Sequence, residues 1–283
     1  MHYNLPMFAQ LSSSLYADMQ QRFAELLTAT RRFPILGSCP VTIAGRYVGW
    51  LHPRAQEVLA DWPKVRRSSV GFHIAEDLPP SAELNHYLAE LAQTLNDGGC
   101  VKAWRDELLD VYAEGQIIGV IERGASRALG LLTQAVHLHA WAPDGKLWVQ
   151  QRASHKATDP NMWDTLVGGL ASAQECLTVS LLRECQEEAG LCATELCDLS
   201  SMHCITRMHR PLQEGFQAEN VWVNDCILPS TCTPSNQDGE VSDIACISVE
   251  QYWEMAQAKQ FTLEAEIVIL YCILQRCAPH AVR

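Results

Sequence analysis

The sequence has no long apolar run. Its longest is Ile267–Leu274, eight residues, against the roughly 20 that a membrane-spanning helix needs, so no membrane role is expected. Positive charge is scarce too: Lys and Arg total 21 against 33 Asp and Glu, for a net charge of −12. A nucleic-acid binder usually carries a basic stripe; none is visible, and no nucleic-acid partner is expected. Met1-His2-Tyr3-Asn4 is not a basic segment leading into an apolar core, so no secretion signal is indicated and a cytoplasmic location is expected. The 12 cysteines include no C-x-x-C pair, which excludes zinc-ribbon spacing. They are scattered through apolar stretches, as at Cys226, Cys246 and Cys272, the pattern of buried free thiols. Internal repeats and low-complexity segments are absent as well.

What is present suits a soluble globular chain: 283 residues, 48% of them hydrophobic, enough for about two domains. Residues 1–124 read as mixed α and β, with a helix over Leu15–Leu27, a hairpin over Val41–Leu51 and a helix over Ala82–Leu95. Residues 125–283 read as a second α+β unit. It has strands at Ala135–Trp141 and Leu147–Arg152, a loop over Ala153–Asp164 and a helix at Thr178–Ala189 closed by Gly190. Strands at Ser201–Thr206, Asn220–Ile227 and Asp243–Ile247 and helices at Val249–Ala258 and Leu263–Arg276 complete it.

Chemistry concentrates in one segment. From Gly169 it reads G-x5-E-x7-R-E-C-x-E-E-x-G-L, through Glu175, Arg183, Glu184, Glu187, Glu188, Gly190 and Leu191. Residues three and four apart share a helix face, so Glu184, Glu187 and Glu188 form a carboxylate cluster, and like charges so placed repel. Arg183 is expected to reach only Glu187. A divalent cation relieves the repulsion, and an all-oxygen, carboxylate-rich set suits Mg2+ or Mn2+. Gly168-Gly169 lets the loop backbone come close to the helix and offer a carbonyl as a further hard ligand.

This segment resembles the Nudix box, the signature of the Nudix hydrolase superfamily, at every required position; Cys185 fills a slot usually held by a larger aliphatic residue. The resemblance implies an α/β/α sandwich on a mixed sheet, with the box as loop–helix–loop, and hydrolysis of a small-molecule diphosphate with Mg2+, or Mn2+ as substitute. It implies Glu187 and Glu188 as metal ligands, Glu184 as ligand or general base, and the Gly168 carbonyl completing the set. Arg183 and Glu175 orient the carboxylates, and Gly169 and Gly190 shape the box. Glu184, Glu187 and Arg183 are thus the expected catalytic group. A further acidic ligand from a later loop is expected at Glu240, with Asp238 second and Glu219 third. Superfamily members are often dimers, so a homodimer is compatible with the resemblance.

Beyond the box, Ala135–Gly169, Trp104–Leu108, Ile121–Arg123, Asp225–Pro229 and Asp238–Val241 are similar to the thiamine-pyrophosphokinase-related branch, which carries an extra N-terminal domain. That branch implies hydrolysis of thiamine diphosphate or its damaged analogues to monophosphates. ADP-ribose or NADH hydrolysis is the alternative within the superfamily. The strand and loop before the box also resemble isopentenyl diphosphate isomerase, but Val167 and Leu170 stand where that enzyme has cysteine and histidine, and neither shuttles a proton. A non-catalytic ligand-binding module is a further reading, opposed by the intact carboxylates.

Arg152 and Lys156 are candidate diphosphate-binding residues, as is Arg207 in the basic run Arg207, His209, Arg210, which is either a plain exposed turn or a hairpin tip over the site. Trp148, Trp163 and Trp222 are either core residues or stacking platforms, and Trp104 is either a domain-interface residue or a substrate contact.

Overall fold

The computed structural model describes residues 11–156 and 158–278. After helix α1 (Ser13–Ala29), strands β1 (Cys39–Ile43) and β2 (Arg46–Leu51), helix α2 (Pro53–Val58), strands β3 (Val65–Arg67) and β4 (Phe72–Ile74) and helix α3 (Ala82–Asp97) build the N-terminal layer. The sheet order is β2-β1-β4-β3, with β1 and β4 parallel. Ser81 caps α3 by accepting the Leu84 N–H, and Leu84, Leu88, Leu91 and Leu95 recur at helical spacing and are fully buried. A separate hairpin, β5 (Leu108–Ala113) and β6 (Gln116–Glu122), leads into the short helix α4 (Ser126–Leu129).

The C-terminal sheet is built from β7 (Leu132–Trp141), β8 (Leu147–Arg152), β9 (Trp163–Thr165), β10 (Val167–Leu170), β11 (His203–Leu212), β12 (Gly215–Ile227) and β13 (Val241–Ile247). It is mixed: β7 lies parallel to β12 and antiparallel to β8 and β10. The helices are α5 (Leu177–Ala189), α6 (Val249–Gln257) and α7 (Leu263–Arg276). Alternation along β7 sends Val136, Leu138 and Ala140 towards Leu181, Cys185 and Ala189 of α5. Trp141 packs on the other face among Tyr252 of α6 and Ile269, Leu270 and Ile273 of α7. Each fully buried Leu or Ile there contributes roughly 1.5–3 kcal/mol. The result is the expected α/β/α sandwich, preceded by the smaller mixed layer.

Several elements depart from expectation. Strands β11 and β12 are longer than the sequence suggests, because they stay paired up to a tight connection at residues 213–214. β9 falls where a loop is expected; it borders β8 and supplies a pairing that local pattern does not encode. All 12 cysteines are free, but only six are buried, and Cys176, Cys192 and Cys204 are exposed. Among the described residues no helix is long and apolar enough to cross a membrane.

Helix α1 lies within residues 1–124 yet packs with the C-terminal unit. Its Met19 and Leu26 share a cluster with Trp141, Tyr252 and Ile269. Arg22 pairs with Glu266 of α7 at 2.7 Å, and the Tyr16 hydroxyl donates to the Leu274 carbonyl. Amphipathicity announces a helix but not which core it covers.

The Arg22–Glu266 pair has an almost fully buried carboxylate, 4% exposed. Removing one partner strands a charge away from water. Arg22→Ala is therefore expected to lower stability by about 1–3 kcal/mol, read from urea unfolding curves; an unchanged midpoint would show that α1 is merely laid on the surface.

Candidate active site

The box occupies β10, the loop after it and α5. Gly190 ends α5 with φ +65°, and the Leu191 N–H closes back on the Cys185 carbonyl at 3.0 Å, a glycine-capped helix end as expected. Glu184 and Glu188, one turn apart, turn inward and are 8% and 3% exposed. Glu187 lies on the outer flank with 48% of its side chain exposed.

One guanidinium organises the group. Arg183 donates to Glu184 at 2.8 Å, to Glu187 at 3.0 Å, to Glu175 at 3.2 Å and to the Leu170 carbonyl at 3.2 Å. The expectation that Arg183 reaches only Glu187 is thereby corrected. Spacing along the helix counts neighbours on α5 alone, whereas the long side chain also spans to the loop and to its own neighbour. Glu175 is held in turn by the Ser180 hydroxyl at 2.9 Å.

Gly169 is required by geometry. A Cβ there would sit 2.1 Å from the Glu184 carboxyl carbon, so only a bare backbone admits the carboxylate. Glu188 accepts the Gly168 N–H at 2.9 Å and the Gln150 amide at 3.0 Å. Burial pushes Glu188 up to about 8, even against the Gly168 N–H. Burial likewise raises Glu184, against the pull of Arg183. Two inward carboxylates too costly to ionise alone fit a hard divalent cation.

Residues 131–268 match the NUDIX domain family. The chain carries a NUDIX domain. Residues 22–133 match a domain of unknown function, DUF4743. The chain is similar to Nudix hydrolase 20, chloroplastic, of Arabidopsis thaliana, with 27% identity over 87% of this chain and 70% of that protein. Nudix hydrolase 24, chloroplastic, of the same plant shows 26% identity over 84% and 67%. Among solved structures, DR0079 from Deinococcus radiodurans aligns with a TM-score of 0.44 and 23% identity over 61% of this chain and all of that one.

Around the Nudix box the other candidates separate. Glu240 pairs with Lys156; burial raises its carboxyl, but Lys156 outweighs burial and leaves it below the ordinary range. Lys156 also acts electrostatically on Glu188, so the Glu240–Lys156 pair borders the carboxylates. Asp238 stays in an exposed turn, where its carboxylate accepts the Glu240 N–H. Glu219 faces away from the box into the cavity beneath the glycine pair and is bound by Arg127 at 2.8 Å, so it does not join the cluster. Arg152 is tied to Asp164 at 3.0 Å and to the Thr158 carbonyl in that same cavity.

The basic run Arg207, His209, Arg210 is neither an exposed turn nor a hairpin tip. It lies within β11, and strand alternation divides it. Arg207 and His209 line a wide cleft of about 1330 Å³ with Trp222 and Tyr112. Arg210 lines the small cavity and pairs with Asp159 at 3.2 Å. Arg207, bonded to Asn220 at 2.8 Å, is therefore not gathered with Arg152 and Lys156. Trp148 and Trp163 pack at the rims of the two cores.

Sequence reasoning missed the support that reaches the box from the N-terminal side. Glu107 accepts from Ser172 at 2.9 Å and from Arg123 at 2.6 Å. The Ala173 N–H donates to the Leu108 carbonyl at 2.7 Å, and the Gln174 N–H to Asp110 at 3.2 Å. Leu109 packs on Ala135 and Leu170. Trp104 is 37% exposed and donates to Asp106; its neighbours, not its ring, make the contact. No local pattern marks these residues, because their partners lie some 65 positions away.

Two outcomes follow. Gly169→Ala must displace the Glu184 carboxylate, and a misplacement of about 1 Å costs on the order of 100-fold in rate; steady-state hydrolysis of a folded variant measures it. Glu188, raised from 4.5 to about 8, stabilises the metal-free fold fully below the unfolded value, and that contribution is lost as pH climbs through the folded one. With chelator, melting temperature should fall between pH 5 and 8 more steeply for the wild type than for Glu188→Gln, and added Mg2+ should narrow the difference at pH 8. Parallel pH profiles would refute the burial argument.

Proposed function

We propose that this Nudix hydrolase is a Mg2+-dependent diphosphatase, with Mn2+ as substitute, that cleaves thiamine diphosphate or its oxidised analogues to the monophosphate and phosphate. The observation that carries the catalytic part is the inward pair Glu184 and Glu188 against the Gly168–Gly169 backbone, with Glu184 tied to Arg183 and Glu188 to the Gly168 N–H. The thiamine part is supported by the likeness of the segments flanking the box to the thiamine-pyrophosphokinase-related branch.

Glu184, Glu187, Glu188, Glu240 and the Gly168 carbonyl would hold the cation, which supplies charge neutralisation at the phosphate oxygens and acidifies water. The chain's own residues do the rest. Glu184, buried and held by Arg183, accepts the proton of the attacking water, a general-base task for a positioned carboxylate. Arg183 keeps Glu184 and Glu187 in place, and Glu175 keeps Arg183 in place. Lys156, beside Glu240 and Glu188, offers a point charge at the rim for a phosphate oxygen. Arg152 is a second cation within reach of a bound diphosphate once it exchanges Asp164 or the Thr158 carbonyl for it.

Glu184→Gln and Glu187→Gln should each abolish Mg2+-dependent phosphate release while the protein remains folded by circular dichroism; wild-type rate in either would overturn the site assignment. A panel of thiamine diphosphate, its oxidised analogues, ADP-ribose, NADH and nucleoside triphosphates decides the substrate. Preference for ADP-ribose or NADH would overturn the thiamine reading and leave the hydrolase class intact.

A further inference from the structure

Away from the box, a second set of metal-ligating side chains draws together among the described residues. His139, Asp225 and Cys272 each bring a donor atom within 4.8 Å of the others. The fold puts them there. His139 of β7 and Asp225 of β12 stand opposite each other in the parallel pairing of the two strands, so their side chains share a face. Helix α7 lies on that face, and its Cys272 packs among Met208, Val221 and Val223. A point among three atoms so spaced is no further than about 2.8 Å from each, within about 0.8 Å of the roughly 2.0–2.3 Å that zinc keeps from nitrogen, oxygen and sulfur.

His139 separates this set from a chance of packing. It is 0% exposed, and neither Nδ1 nor Nε2 has a hydrogen-bond partner. Burial, with the charge of Arg276, presses its pKa down to about 3, so the ring is neutral and holds one bare lone pair. A buried acceptor left so is costly, and a metal bond satisfies it. Cys272 is buried too, and burial beside Asp225 keeps its thiol protonated until an ion displaces the proton. Asp225 is already aimed: Trp141 Nε1 donates to Oδ2 at 2.7 Å and Arg276 Nε to Oδ1 at 2.6 Å. Each carboxylate oxygen keeps a second lone pair, and hydrogen bonds behind a ligand fix its direction. The charges close as well. A divalent ion balances one carboxylate and one thiolate, and Arg276 is answered by Asp198 at 3.1 Å.

We propose that His139, Asp225 and Cys272 bind one Zn2+ ion that pins helix α7 to the β7–β12 pair. Thiolate and imidazole select a borderline-soft ion, whereas Mg2+ prefers oxygen alone, so this centre and the box draw different metals. Asp225 binding through both oxygens completes the four donors of a closed, structural site. On binding, the Cys272 proton leaves to solvent and the thiolate sulfur takes its place on the metal. The centre stands apart from the diphosphatase reading, and a chain without turnover could still hold it.

The test uses the full chain, produced in medium with Co2+ in place of Zn2+ and purified without chelator. The box offers only oxygen, so a sulfur-to-cobalt charge-transfer band reports thiolate ligation elsewhere. The wild type should show that band, and excess Mg2+ should not remove it. Cys272→Ser, which keeps the size of the side chain, and His139→Phe should each lose it. Cys226→Ala should keep it, because Cys226 lies in the other core, with Cys185 and Leu181. X-ray absorption at the cobalt edge of the wild type needs no variant: a shell with one sulfur and an imidazole supports the centre, and a shell of oxygen alone overturns it. Absence of the band from the wild type also overturns it. So does a band that survives Cys272→Ser, which would assign the metal to exposed thiols such as Cys176, Cys192 or Cys204.

Discussion

Burial of Glu184 and Glu188 against a bare glycine backbone is the constraint on which the rest of the structure turns. A carboxylate taken out of water is expensive unless it is paired, and α5 places both on its inward face. Three arrangements answer that cost. Arg183 spreads its guanidinium over Glu175, Glu184 and Glu187; the Gly168 N–H and Gln150 satisfy Glu188; and the remaining imbalance favours a divalent cation. On the proposed reading, the same burial that makes these carboxylates costly to ionise in the metal-free fold would favour a bound cation.

The glycine pair does more than admit a carboxylate. By keeping the strand thin it lets a catalytic group and a cavity occupy opposite sides of one backbone. The cavity's wall is drawn from distant parts of the chain: Arg127 precedes β7, His137 sits within it, Glu219 comes from β12 and Glu264 from the first turn of α7. Gly168 and Gly169 of β10 thus border the carboxylates on one side and this cavity on the other.

The N-terminal region is likewise tied to the box. Glu107, Leu108 and Asp110 bind Ser172, Ala173 and Gln174 in the loop that leads into α5. The loop between β10 and α5 is thereby held by residues from the N-terminal side of the chain. This accounts for a layer with little chemistry of its own lying beside the site: it fixes the loop on which Arg183 and Glu175 converge.

The carboxylates, the glycine pair and the Gly190 cap were legible in the sequence, because helix periodicity and glycine geometry are local properties that spacing records directly. The α/β/α class was legible for the same reason, together with the likeness of the box to a known signature. Other features were not. Arg207 and Arg210 look like one basic cluster until strand alternation sends them to different cavities. Glu219 looks like any late acidic residue until Arg127 claims it. Helix α1 reads as part of the first domain until Met19 and Leu26 are found in the second core. The sequence by itself determined the acidic composition, the helix that carries the three glutamates and the glycines that admit them. Only the tertiary structure decided which glutamates face inward, which arginines answer them and what lies behind Gly168. Those outcomes depend on contacts between residues far apart in the chain, and pairing at that range leaves no mark on local spacing.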